Sequence, residues 1–268
     1  MPQRSELDGP APTAKSASHA ELASAIEPVR GWQSWGAYVF TAVGLLAVQV
    51  ALTEVGGIVA QRVHTSDRWW VHLTVGHITT TVATLALLWP LARWLHLDFG
   101  VRRGDTRAGL RALAVLAVVV AVVLTSFYLT LALGAGATRV DAPGDRTTLL
   151  PYFGFELLSG PTEELTFRAL PIAVLAAIRT RPVAGVGSWV LTLETVVTTM
   201  LFMLAHVRYT LNPLHASADP WQLLSVAVLG TVCGVLYQRT RSVLWPMLLH
   251  SWWNVVVVAA ATAVGFTG

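Results

Sequence analysis

Three short stretches hold the residue types that hydrolytic chemistry needs. Glu163, Glu164 and Arg168 lie in the first, Phe202 and His206 in the second, and His250 and Asn254 in the third. Together they supply a carboxylate base, two imidazoles, a guanidinium and an amide donor. Hydrolysis of an amide requires an activated water and donors for the developing oxyanion. Glu164 and Arg168 are spaced i, i+4 with the acid first, the favourable order for a pair on one helix face. Glu163 lies about 100° further round. One carboxylate is thus held by the arginine and the other is available. His250 and Asn254 share a helix face, one turn apart. Singly, the clusters have plain accounts: a salt-bridged helix start, an interfacial histidine, an interhelical hydrogen bond. No plain account covers all three at once.

The elements that must position them are membrane helices. The chain has 268 residues, of which 54% are hydrophobic and only 12% charged. Soluble domains carry about 25% charged residues, so an ordinary water-soluble enzyme is excluded. Eleven tryptophans suit a chain with two membrane interfaces. Runs free of charge extend over 35–53, 71–92, 112–138 and 220–238. Roughly 20 apolar residues cross the hydrocarbon core. Residues 147–178, 182–206 and 242–268 are apolar but contain the polar clusters. This predicts an all-α polytopic bundle of seven membrane helices, or eight if 147–158 forms its own piece. Strands are not expected, because backbone groups in lipid must be satisfied within a helix or a closed barrel. Ser159-Gly160-Pro161 reads as the start of the fourth membrane segment, since proline fits the first helical position. Both glutamates would then lie in its first turn, where the helix dipole favours negative charge.

Three regions follow from this reading: a disordered polar tail over 1–30, a three-helix half over 31–145, and a half over 146–268 that holds every cluster. With the N-terminus in the cytoplasm, inner segments carry 12 basic residues and outer segments 5. That bias supports the orientation in a cell membrane. It also sets Glu163 and His206 toward the outer half. No basic tract is dense enough for nucleic acid. The lone Cys233 excludes an intrachain disulfide and is read as a packed apolar residue. His72 and His77 are read as packing or interfacial. Glu194, placed mid-helix, needs a partner, with Arg168 one candidate. Ser188 is followed by Trp189, where a nucleophilic serine of the rhomboid kind has a small residue.

Glu-Glu-x-x-x-Arg at 163–168, Phe-x-x-x-His at 202–206 and His-x-x-x-Asn at 250–254 resemble, in order and spacing, the three motifs of the CPBP family. These are type II CAAX prenyl endopeptidase-like, abortive-infection and bacteriocin-processing membrane proteins. The resemblance covers roughly 145–262 and implies an intramembrane endopeptidase. Its substrate would be a membrane-associated or prenylated CAAX-type protein or peptide, met in membrane lipid. By position, Glu163 would activate water and His206 would hold or polarise it. His250 and Asn254 would stabilise the oxyanion, with Glu164, Arg168 and Phe202 supporting. The family is often labelled a metalloprotease. Glu163, His206 and His250 would supply three ligands if Zn²⁺ is used, a count typical of catalytic zinc. No His-Glu-x-x-His is present. The dipole argument favours a metal-free glutamate. The competing reading is a non-enzymatic transporter or immunity scaffold using the same polar cavity, disfavoured by the lack of internal symmetry. The protease reading requires Glu163, His206 and His250 to meet around one buried cavity.

Overall fold

The computed structural model describes residues 32–63, 69–134, 146–211 and 214–264. The expected tail over 1–30 lies outside them. The described residues form seven helical rods. Helices α1 (Trp32–Gln61), α2 (Trp69–Leu95) and α3 (Thr106–Gly134) contain 27 to 30 residues each. At about 1.5 Å per residue they exceed the ~30 Å hydrocarbon core. The fourth rod joins α4 (Arg146–Glu164), a π-helical turn (Leu165–Ala169) and α5 (Leu170–Ile178) without interruption. Helix α6 (Leu193–Ala205) has only 13 residues. Helices α7 (Pro220–Thr240) and α8 (Leu244–Ala263) complete the bundle. Five of these helices are long and apolar enough to cross a membrane. The protein is an integral membrane protein with an all-α bundle.

Burial is arranged for lipid rather than water. Phe40 is 80% exposed and Leu133 82%, while Glu164, Arg168, Thr195 and Thr198 are fully buried. Apolar side chains face outward, and polar groups face each other inside the bundle. Helix α4 packs on α8, α3 on α8, and α6 on α7.

Four expectations are corrected. The fourth segment does not start at Ser159. Helix α4 begins at Arg146 and carries Pro151 and Pro161 in its interior. Pro161 has no N–H to give the carbonyl of Leu157 one turn back. Ser251 Oγ of α8 donates to that carbonyl at 2.8 Å, so a neighbouring helix repairs the gap. Glu163 and Glu164 therefore end α4 rather than open a helix, and the dipole argument for a metal-free glutamate lapses.

Strands do occur, as two short antiparallel hairpins. One pairs β1 (Pro182–Val186) with β2 (Trp189–Thr192), and the other β3 (Arg208–Leu211) with β4 (Leu214–Ser217). They sit in connections; every residue of β1 is exposed. Gly187, at φ +59°, turns the first hairpin. Finally, Glu194 lies in the first turn of α6, not mid-helix. The ion pair of Arg168 is made with Glu164 instead.

The α4–α8 contact depends on Gly160. A Cβ there would lie 2.6 Å from the carbonyl oxygen of Met247 and 2.4 Å from Ser251 Oγ. The Met247 oxygen is backbone and cannot rotate away. Gly160→Ala should lower stability by about 1–3 kcal/mol or more, the range for overpacked sites. Thermal melting in detergent reads this; an unchanged midpoint would mean that α4 and α8 separate at no cost.

At the end of the bundle where α3 begins, Asp105 accepts from the N–H of Ala108 and pairs with Arg239 at 3.1 Å. Those two contacts hold its carboxyl below the usual carboxylate range.

Candidate active site

The three motifs converge. The π-helical turn follows directly after Glu163 and Glu164, and all five of its residues are buried. Such turns are frequent at functional sites. Here its backbone has a specific cause. The N–H of Leu170 reaches back five residues to the carbonyl of Leu165. Pro171 cannot make the next such bond, to Thr166, and the side-chain amide of Gln49 on α1 donates to that oxygen at 3.1 Å. Thr84 of α2 bonds Thr166 Oγ1 at 3.0 Å. Polar side chains from α1 and α2 thus pin the segment that carries the glutamates.

His250 stands between the two carboxylates. Its Nδ1 donates to Glu164 Oε1 at 2.7 Å, and its Nε2 lies 3.6 Å from Glu163 Oε2. The Nδ1 bond fixes the ring's orientation and leaves Nε2 as the nitrogen on the Glu163 side. Glu164 Oε2 is 3.5 Å from Arg168 Nε, with both side chains fully buried. The plan of one held and one available carboxylate is realised: the side chain of Glu164 is 0% exposed and that of Glu163 21%.

Phe202 is the hub. Its ring meets those of His206 at 4.7 Å and His250 at 5.8 Å, and Arg168 Cζ lies 4.0 Å over its face. The contact with Arg168 is a buried cation–π interaction. His206 caps the end of α6, and its Nδ1 donates to the carbonyl of Phe202 at 2.9 Å. Its Nε2 is then the nitrogen free to accept.

Glu163 and His206 line one cavity of about 690 Å³, a size typical of ligand sites. Thr53 and Gly57 of α1, His72, His77 and Thr80 of α2, and Thr162 and Phe167 complete its wall. His77, read from sequence as packing or interfacial, belongs to this wall and meets the ring of Phe155 at a tilt, centroids 5.0 Å apart. Nothing in the local sequence of α2 signals that, because the helix that brings it here is distant in the chain. Glu156, missed in the same way, is buried within the bundle.

Asn254 is placed differently from its expected role. Its amide donates to Ser159 Oγ at 2.6 Å, which ties α8 to α4. Neither it nor His250 lines the cavity; His250 stands behind Glu163, with Nε2 3.6 Å from that carboxylate. Nor do Glu163, His206 and His250 form a metal-ligand set. Among the described residues, no three His, Cys, Asp or Glu side chains are arranged to hold a metal ion. His250 and His206 each commit only Nδ1, to Glu164 and to Phe202, and keep Nε2 uncommitted. The metalloprotease label is not supported. Ser188 Oγ accepts from Arg239 at 3.0 Å, and Cys233 is fully buried.

Residues 145–256 match the family model for type II CAAX prenyl endopeptidase Rce1-like proteins. Neither the curated proteins nor the solved structures contain a match to this chain.

Proposed function

From its membership of the CPBP family, carried by residues 145–256, we propose that this chain is an intramembrane endopeptidase in which Glu163 activates water. The family supports a CAAX-type membrane protease in general. The observation that carries the finer reading is the pairing of a partly exposed Glu163 with His206 on one cavity wall, backed by a His250 that Glu164 orients.

In this reading the peptide bond lies in the 690 Å³ cavity. Glu163 takes a proton from water as the oxygen attacks the carbonyl carbon. His206 holds that water through Nε2. The oxyanion accepts a hydrogen bond from His250 Nε2, the ring carrying a proton on both nitrogens in this step, and Glu163 returns its proton to the leaving amine as the C–N bond breaks. Asn254 contributes by fixing α8, because reaching the oxyanion would require releasing Ser159. Substrates are membrane-associated peptides or prenylated CAAX-type proteins. The Arg-rich end of the bundle lies in the cytoplasm in a plasma membrane.

The test uses purified full-length protein in proteoliposomes with two probes, a farnesylated CAAX-type peptide and an unprenylated membrane-anchored peptide. Mass spectrometry should find one discrete cut in at least one of them. Intact peptides in both, with folded protein, would count against the reading. Metal gives a separate expected outcome: activity survives prolonged chelation. Loss on chelation, with about one Zn per chain before and none after, would replace the glutamate mechanism by a metal one.

A further inference from the structure

His77 of α2 shares the 690 Å³ cavity with Glu163 and His206, and the mechanism above gives it no part. Its Nδ1 is buried with no hydrogen-bond partner, on a ring that meets Phe155 at 5.0 Å. Nε2 makes no hydrogen bond among the described residues either, but it is not sealed off, so it is the ring nitrogen that opens to the cavity. A neutral imidazole carries one N–H. On Nδ1 that proton would make a buried donor with nothing to accept it, a rare arrangement. On Nε2 it presents a donor to the cavity space.

The position suits the chemistry. Thr162, next to Glu163 in α4, has its Oγ1 3.3 Å from the carbonyl oxygen of His77, so the two side chains leave neighbouring helices at one level. His77 and Glu163 lie close enough to interact through their charges. Glu163 makes its ion pair with His250 rather than with His77, and His250 does not line the cavity. The other polar groups of the wall are spent. The hydroxyls of Thr53, Thr80, Thr162 and Thr166 each reach a main-chain carbonyl, at 2.9 to 3.3 Å. His72 and His206 each give Nδ1–H to a carbonyl, of Ala60 and Phe202. Gln61 lies at the exposed end of α1, next to the Ala60 that His72 binds. His77 is thus the wall group that offers an uncommitted N–H level with Glu163.

We propose that the Nε2–H of His77 donates to the carbonyl oxygen of the scissile peptide bond and holds the oxyanion formed there, as the wall-side partner of His250. This role rests on the protease reading above. Glu163 takes a proton from water as the water oxygen bonds to carbon, and the C=O π pair moves onto oxygen. That pair re-forms C=O when the C–N bond breaks and Glu163 gives its proton to the amine. His77 keeps its own proton throughout. A donor aimed at charge that grows in the transition state acts on kcat more than on KM.

The test compares His77→Phe, His77→Gln and Glu163→Gln with the parent protein in proteoliposomes, using the farnesylated and the unprenylated peptide. Phenylalanine keeps a ring against Phe155 but has no donor. The glutamine amide can put an N–H near the place of Nε2. His77→Phe should lower kcat by about 10²-fold or more, the cost of one oxyanion donor, with KM within about threefold of the parent. His77→Gln should recover about tenfold or more of that loss. Equal losses in the two variants, or a loss carried by KM, would assign His77 a packing role and overturn the proposal. So would a kcat for His77→Phe within about threefold of the parent. If Glu163→Gln is inactive in that case, the protease reading stands without His77. A parent that cleaves neither peptide, or a fully active Glu163→Gln, would remove both.

Discussion

Glu163→Gln should give a folded protein with no measurable turnover. The amide keeps the size of the side chain but cannot accept a proton from water. Loss of a general base typically costs about 10²–10⁴ in rate. Folding should be nearly unaffected, because Glu163 is partly exposed to its cavity and His250 keeps its 2.7 Å bond to Glu164. The measurement is peptide cleavage beside thermal melting in the same detergent. Full activity in this variant would sink the mechanism, whatever the substrate.

Its neighbour should fail in the opposite sense. Glu164→Gln removes the negative charge that faces Arg168, and both side chains are fully enclosed. The guanidinium would keep the face of Phe202 at 4.0 Å but lose the carboxylate charge beside it. Breaking a buried pair by removing one partner costs about 3–5 kcal/mol. At about 2–4 °C per kcal/mol for larger chains, the melting midpoint should fall by roughly 10 °C. Replacing the arginine as well, in Glu164→Gln with Arg168→Met, should recover part of the loss, because no unpaired charge remains. A Glu164→Gln protein as stable as the parent would show that the pair is dispensable.

The contrast between these two adjacent residues was legible in the sequence, because i, i+4 spacing is a property of any helix. So was the membrane class, since apolar runs do not depend on distant contacts. What stayed hidden depends on partners far along the chain. Ser159-Gly160-Pro161 satisfies every local rule for a helix start, yet α4 runs through it because Ser251 supplies the donor that Pro161 lacks. The π-helical turn is stabilised in the same way by Gln49. The hairpin over 182–192 was obscured by its apolar composition, which matches a membrane run as well as an exposed strand. His77 and Asn254 changed roles for one reason: a residue's own helix tells which face it shares, but not what packs against that face.

Helix α6 carries a further consequence. Its 13 residues make a rod about 20 Å long, some 10 Å short of an ordinary hydrocarbon layer. Its far end is His206, followed at once by the exposed β3–β4 hairpin. Strand edges are not stable in acyl chains, so a bilayer that meets this corner would have to thin there to leave the hairpin in water. Thinning costs fractions of a kcal/mol per Å of mismatch. Shorter acyl chains would lower that cost beside His206. His206, on the wall of the Glu163 cavity, is joined through this one short helix to the membrane around it.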